Sequence, residues 1–463
     1  MKTKHPTVNV PPKPSSLGQE ATNLRKQAER LETEAINPTA PSAAQQASSL
    51  SKQATNLRKE AEKFETEAIN LTASSAAQQA ANEIRRRKGK VAVFLGAGAS
   101  KTFGWPLTNE LFPIILDGLV KEDLFEDARI NTPAQNAADR RLLRKTLLAL
   151  CPGMALTRTF LKGCRERLPL VTSLLSMLDF SLSAGQSIVL GLTPEELKDA
   201  RSLLERAIYE AIAHETVARE PNYWPPRRSN KLAPLLANWL DKSRPDTTQV
   251  GVITSNYDVA MEQAWHFNRD SMTHVTNLGM DFGFNWTWPS NKFPPDVIRR
   301  PAAPKRRLYK LHGSTNWLRC GLCDRIYVNP EVDIAVYAYD RKIEASNTCH
   351  CGHAKLEVQI VSPSFVREMR SPNLISVWQQ ALDWLRASDD WVIIGYSFPD
   401  EDLNIRSLFT RAFASRESPP FITAVQFGTN NQTRIRYEAF FPSKQLTFLN
   451  GGLEVFLQAT NGK

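Results

Sequence analysis

Four short sets of polar or small residues each follow a run of apolar ones. His312-Gly313-Ser314 comes after Leu308-Tyr-Lys-Leu311, and Ser255-Asn256-Tyr257-Asp258 comes after Val250-Gly-Val-Ile-Thr254. Gly96-Ala97-Gly98-Ala99-Ser100 follows Val91-Ala-Val-Phe-Leu95, and Gly395-Tyr-Ser397 follows Trp391-Val-Ile-Ile394. A histidine, with a reference pKa of about 6.5, can take a proton at neutral pH. An asparagine two residues from an aspartate can direct a water or a sugar hydroxyl and steady a developing positive charge. A glycine-rich strand end leading to a helix N-terminus suits a nucleotide pyrophosphate, because backbone N–H groups and the helix dipole face the anion there. A plain tight turn would use the same glycines. The spacing is not G-x-G-x-x-G, since Lys101 stands where the third glycine should be, and no Gly-Lys-Ser/Thr follows to make a P-loop.

Apolar runs of four or five residues, rich in Val and Ile, read as strands buried on both faces. Val91–Leu95, Val250–Thr254, Leu308–Leu311, Trp391–Ile394 and Phe421–Gln426 fit that description, the last finishing at Gly428. In an open α/β sheet, ligand groups gather just past the C-terminal ends of such strands. Four tips bearing Gly, Ser, Asn or His therefore imply one crevice. Leu107–Leu116 and the segment opened by Asp400, Glu401 and Asp402 read as helices. So does the stretch after Thr193, with Pro194 at its first position and Glu196 at the capping-box place. The spacings of Leu143, Leu147 and Leu150, and of Val171, Leu174, Leu175 and Leu178, continue this helical pattern, in which no chemistry is visible.

Cys320, Cys323, Cys349 and Cys351 form two close pairs with β-forming sequence between them, Ile326-Tyr-Val and Ile334-Ala-Val-Tyr. This arrangement suits a tetrahedral, structural zinc, with His350 or His353 as alternatives to Cys351. Cys151 and Cys164 fall in the helical region and read as ordinary buried or half-buried thiols.

The N-terminal part contains a repeat of 33 residues: Ala21-Thr-Asn-Leu-Arg-Lys recurs from Ala54, and Ser42-Ala-Ala-Gln-Gln-Ala recurs from Ser75. Two copies cannot bury a solenoid core. Ala21, Leu24, Ala28, Leu31 and Ala35, and Ala54, Leu57, Ala61, Phe64 and Ala68, alternate three and four apart as a heptad seam. Pro38 and Pro41 end the first helix, while the second can run to Arg87. It reads as a docking or oligomerisation hairpin, or as a solvated extension packed loosely on the body. Arg85–Lys88 reads as a solvated charge run.

With 463 residues and 42% hydrophobic content, the chain can bury a large core. No run is long enough to span a membrane, and the N-terminus lacks the apolar core of a secretory signal, so a cytoplasmic protein with no membrane partner is expected. A net charge of +10 fits a pocket for an anionic nucleotide and leaves nucleic acid open as a partner. The expected fold is α/β: a Rossmann-like parallel sheet with helices on both faces. Its parts are a disordered lead over 1–18, the helical repeat over 19–88, and the α/β body over 89–318 and 358–463. A helical insertion occupies about 115–245 and a four-cysteine module 319–357.

Taken in order, Gly96–Ser100, Thr254-Ser-Asn256-Tyr-Asp258, Lys310-Leu-His312-Gly313, the cysteine ribbon and Gly395-Tyr-Ser397 resemble the sirtuin NAD-binding domain over roughly residues 90–430. The resemblance implies that Gly96, Ala97, Gly98, Ala99 and Ser100 hold the NAD pyrophosphate. It implies that Thr254, Asn256 and Asp258 surround the nicotinamide ribose, that His312 is the base, and that Gly395 and Ser397 lie by the adenosine. Where sirtuin deacylases carry a peptide-clamping Arg-Pro…Phe-Gly-Glu segment, this chain has Val361-Ser-Pro-Ser-Phe365 and Arg367-Glu-Met-Arg370. Gly395-Tyr-Ser-Phe-Pro-Asp-Glu-Asp402 replaces their Gly-Thr-Ser segment. Both departures look like the antiphage-defence branch, whose members hydrolyse NAD. The implied protein is a regulated NAD hydrolase with a structural zinc, a homo-oligomer answering to a trigger protein. The alternatives are a lysine deacylase or ADP-ribosyltransferase, and a non-catalytic nucleotide sensor.

Overall fold

The computed structural model describes residues 14–36, 43–126, 132–164, 167–185, 191–217, 232–267, 279–289, 296–330, 334–339, 348–352, 356–360, 371–400, 402–428 and 431–461. Pro38, Pro41, His353, Glu401 and the departures over 361–370 lie outside them.

Helix α1 (Pro14–Ile36) opens inside the stretch read as a disordered lead and pairs with α2 (Ala43–Arg86) as a hairpin. Ala21, Ala28, Ala54 and Ala61 are fully buried along the seam, and Arg58 reaches Glu32 at 2.7 Å. Alanine at these positions lets two helices approach closely with little side-chain entropy lost. Loose packing on the body does not extend to the whole hairpin. The later part of α2 buries Ala77, Ala80 and Ile84 in the main core, against the C-terminal helix and the last strand.

After β1 (Lys90–Leu95) the chain enters a short helix α3 (Ala97–Thr102), then α4 (Thr108–Lys121), α5 (Pro133–Leu150), α6 (Arg158–Cys164), α7 (Val171–Ser183), α8 (Pro194–Val217) and α9 (Leu232–Ser243). It returns to the sheet as β2 (Val250–Thr254), followed by α10 (Ala260–Phe267) and the short strands β3 (Met280–Asp281), β4 (Trp286–Thr287) and β5 (Val297–Ile298). β6 (Arg306–Lys310) runs almost directly into β7 (Gly313–Cys320), and β8 (Ile326–Val328) and β9 (Leu356–Ile360) follow. Helix α11 (Pro372–Ala387), β10 (Ser388–Ile394), α12 (Leu403–Ala414), β11 (Phe421–Val425), α13 (Asn431–Phe440), β12 (Leu446–Leu449) and α14 (Gly452–Asn461) complete the chain. One expected β segment is different: residues 335–339 form a 3₁₀ turn, its Ile334 amide bonded to the Thr315 carbonyl at 3.2 Å.

Seven strands form a parallel sheet in the order β12-β11-β10-β1-β2-β6-β3. Its central strands are buried on both faces, which is why their sequence shows continuous apolar runs instead of alternation. The register aligns Leu95 with both Ile394 and Thr254, and Thr254 with Lys310. The four polar tips therefore leave the sheet from one row. Five strands, β5-β4-β8-β7-β9, make a second, smaller sheet.

At the opposite end of the large sheet, Asp390 takes Arg87 at 2.7 Å and Arg244 at 2.8 Å. Arg244 also donates to the Gly89, Ile84 and Ser243 carbonyls, so one buried guanidinium ties α2, α9 and the sheet together. Arg85 donates to the Thr460 carbonyl at 2.7 Å. The basic run is thus part of the body's framework and not simply a solvated face. Burial pushes the Asp390 carboxyl above its ordinary range, against the pull of the two arginines. Asp390→Asn should cost about 3 kcal/mol, because it leaves Arg244 buried without its counter-charge. Urea titration checks this: the midpoint should fall while the slope stays unchanged.

Candidate active site

The glycine turn packs backbone against backbone. The Gly96 amide donates to the Ile394 carbonyl at 2.9 Å, and the Gly98 amide donates to the Gly395 carbonyl at 2.8 Å. A Cβ on Gly98 would stand 2.8 Å from that carbonyl oxygen, and one on Gly395 would stand 2.3 Å from the Ala99 amide nitrogen. Gly395 also has φ +63°, a region that favours glycine. The turn's small residues are therefore required by its own packing before any ligand is considered. Helix α3 starts immediately at Ala97, an additional short helix ahead of α4, which begins where the sequence placed a helix start, with Leu107 as its N-cap.

The second tip is tied to the first. The Asn256 amide nitrogen donates to the Gly96 carbonyl at 2.8 Å, and Thr254 Oγ1 donates to the Leu95 carbonyl at 3.0 Å. The Asp258 carboxylate accepts from the Ser100 hydroxyl and, at 3.0 Å, from the Ala260 amide at the start of α10. Both of its oxygens have a structural partner.

His312 is nearly buried and holds its ring between two aromatic side chains, with the Tyr257 and Trp378 centroids each 6.2 Å away. Its Nδ1 lies 3.1 Å from the Ser255 carbonyl. A carbonyl only accepts, so Nδ1 carries the hydrogen and the ring's lone pair is on Nε2. Trp378 Nε1 donates to the Leu311 carbonyl at 2.8 Å, fixing the other side of the histidine strand. Trp378 was missed in the sequence, where it reads as an ordinary apolar position of a helix.

The fourth tip brings Gly395 against this group, while Ser397 is exposed and its carbonyl accepts from Arg436 at 2.8 Å. Between them and Pro399, Phe398 is fully buried at φ +54°, held among Tyr396, Phe409, Tyr437 and Phe440. A left-handed phenylalanine persists only where the surroundings over-determine it. The structure thus gathers Gly96–Ser100, Thr254, Asn256, Asp258, His312 and Gly395 at one edge, with Ser397 on its outer rim.

A cleft open to solvent adjoins this edge and is lined by Ile208, Tyr209, Tyr257, Tyr339 and Ile360, with Glu205 among the lining groups. Ile208 and Tyr209 come from α8, in the insertion where the sequence showed no chemistry. Ile360 pairs with Gly313, next to His312, and the Tyr257 ring that lines the cleft also neighbours His312, so the cleft lies close to the histidine. Nothing in the spacing of α8 separates these residues from a plain core face.

The four cysteine sulfurs lie within 4.8 Å of one another. Cys320 Sγ is 3.7 Å from Cys351 Sγ, and Cys323 Sγ is 3.5 Å from Cys349 Sγ. A tetrahedron with Zn–S bonds of about 2.3 Å has edges of about 3.8 Å, so the set fits zinc. Burial pushes the Cys349 thiol up, but hydrogen bonds from Tyr327 and the Cys351 amide outweigh it and bring it to about 7. His350 faces Tyr327 instead, its Nδ1 2.7 Å from the hydroxyl, so Cys351 completes the set.

Residues 250–448 match the family model described as the SIR2-like domain. Over that stretch the chain is similar to a SIR2-like domain. The match begins at β2 and ends within β12, taking in the Asn256 loop, His312, the cysteines and Gly395. No curated protein matches the chain. Among solved structures, Sir2Tm bound to a propionylated peptide aligns at TM-score 0.36 and 12% identity, over 83% of this chain and 97% of that one. A Sir2 complex with p53 peptide and NAD+ aligns at TM-score 0.35 and 12% identity, over 82% and 94%. Overlaps of that quality carry no weight beside the family match.

A SIR2-like domain points to NAD-related activity. Among the described residues, no helix is long and apolar enough to cross a membrane. The cysteine set predicts about one zinc per chain by elemental analysis. Cys320→Ser should lose the metal and lower Tm by about 5 °C or more, because a structural zinc contributes folding free energy directly.

Proposed function

We propose that the chain hydrolyses NAD at the nicotinamide–ribose bond, releasing nicotinamide and ADP-ribose. The observation that carries this reading is the cleft beside His312. Its walls are largely apolar and aromatic, and the insertion helix α8 supplies one of them, so it shields the reacting bond from bulk solvent, while the sequence lacks the deacylases' peptide-clamping segment and leaves water as the acceptor. In such a desolvated pocket the C1′–N bond can break as oxocarbenium character develops, with the bonding electrons leaving on nicotinamide. Water then attacks C1′, and its proton passes to Nε2 of His312, the nitrogen that bears the lone pair. Asn256, anchored through its Nδ2, offers Oδ1 to that water or to a ribose hydroxyl.

Asp258 belongs in a different role. With Ser100 on one oxygen and the Ala260 amide on the other, it fixes the loop that carries Asn256. The glycine turn, Thr254, Gly395 and Ser397 line the remaining edge as the dinucleotide's contacts. Carried further along the same resemblance, the enzyme is a cytoplasmic NAD-depleting effector of antiphage defence. In that role it works as a homo-oligomer held inactive until a trigger protein engages it. The four-cysteine zinc is structural, since all four positions are taken by protein sulfur.

Incubating the purified protein with NAD, with and without an acyl-lysine peptide, tests the reading. Under activating conditions nicotinamide and ADP-ribose should appear in equal amounts without peptide. His312→Ala and Asn256→Ala should each lower turnover by about a hundredfold or more, with much smaller losses in NAD binding. Release that requires the peptide would make the chain a deacylase. Binding without release, whatever trigger is supplied, would make it a sensor.

A further inference from the structure

Beneath the Asn256–Asp258 loop lies a charged pair for which the reaction above has no use. Lys310 and Glu262 are each 1% exposed at the side chain, and their charged atoms are 2.9 Å apart. The Lys310 ammonium also donates to the Asp258 carbonyl. Lys310 stands two residues before His312 on β6, and Glu262 stands on α10, which the loop itself begins. Asn316 Nδ2 lies 3.5 Å from the same Glu262 oxygen, and Glu262 Oε2 has no hydrogen-bond partner among the described residues. Burial pushes the Glu262 carboxyl above its ordinary range despite the lysine. A pair this deeply desolvated adds little net stability over an apolar pair of the same shape.

Its surroundings suggest another use. Three of the four loop carbonyls from Ser255 to Asp258 are held by β6, β7 and the junction between them: Ser255 by His312, Tyr257 by Ser314 and Thr315, and Asp258 by Lys310. Lys310 is the charged member of that set. It reaches the loop's last residue, whose side chain in turn holds Ser100 of the glycine turn. We infer that Lys310 and Glu262 are positioning residues: Glu262 aims the Lys310 ammonium at the Asp258 carbonyl, setting the loop that presents Asn256 opposite His312. This deepens the NAD-hydrolase reading and rests on it for its kinetic part only.

Two variants separate positioning from plain support. Lys310→Met leaves Glu262 buried without a counter-charge, so it should lower the urea midpoint as well as loosen the loop. The double variant Lys310→Met with Glu262→Leu removes both charges and should recover most of the midpoint. It still lacks the bond to the Asp258 carbonyl. Its amides over residues 255–260 should exchange with solvent about tenfold or more faster than in the parent, while core strands keep their protection. With NAD, kcat should fall about tenfold or more and KM should change by less than about threefold. Recovery of loop protection together with the midpoint would overturn the inference, because the pair would then be a support that any packed residues replace. Unchanged kcat in an active double variant would overturn it as well. If the parent releases no nicotinamide whatever trigger is supplied, the hydrolase reading fails, and loop exchange alone decides the role of the pair.

Discussion

The contact between two glycines at the ends of neighbouring parallel strands is the constraint on which the site depends. The Gly98 amide meets the Gly395 carbonyl, and any side chain on either residue would intrude on the other's backbone. Because they touch, the loops after β1 and β10 close over one edge of the sheet and do not diverge into solvent. The Gly96 carbonyl then becomes available to Asn256, and Ser100 comes within reach of Asp258. This edge is also where the chain order reverses, since β1 has β2 on one side and β10 on the other. Open α/β sheets bind their ligands at such a reversal, because the connecting segments part to opposite faces and leave a gap.

Two buried ion pairs stand at opposite ends of this sheet, and both hold backbone carbonyls as well as each other. Arg244 with Asp390 ties the α2 terminus and the α9 end to the base of the sheet. Lys310 with Glu262 ties the Asn256–Asp258 loop to its upper edge. A carbonyl buried without a donor costs roughly 1–3 kcal/mol, and one charged side chain can serve several at once. Desolvated charge is tolerated here because irregular backbone beside it needs donors that no strand supplies.

The small sheet extends the site toward the metal centre. β7 begins one residue after His312 and ends at Cys320, so the histidine immediately precedes the strand that ends at the first metal ligand. A zinc on the four sulfurs would stiffen that strand from its far end. From the other direction, the insertion brings α8 against Tyr257 and Ile360 and gives the cleft its aromatic wall. Support and enclosure thus come from opposite sides of the same histidine.

The apolar runs ending in Gly, Asn and His were legible in the sequence because strand burial and turn chemistry leave local marks. Cysteine pairing and the order of the motifs were legible for the same reason, and they were enough for the α/β class and the SIR2-like resemblance. The alanine seam of α1 and α2 could be read from its spacing, but the anchoring of α2 in the core could not. What only the tertiary structure decided lies between residues far apart in the chain. It set the row that aligns Leu95, Thr254, Lys310 and Ile394, and it gave Gly98 its partner in Gly395. It turned Tyr209 toward the cleft and buried Lys310 under Asp258. A lysine beside a histidine reads the same whether it faces water or a carboxylate. Its surroundings are set by sheet register and helix docking, which no local spacing encodes.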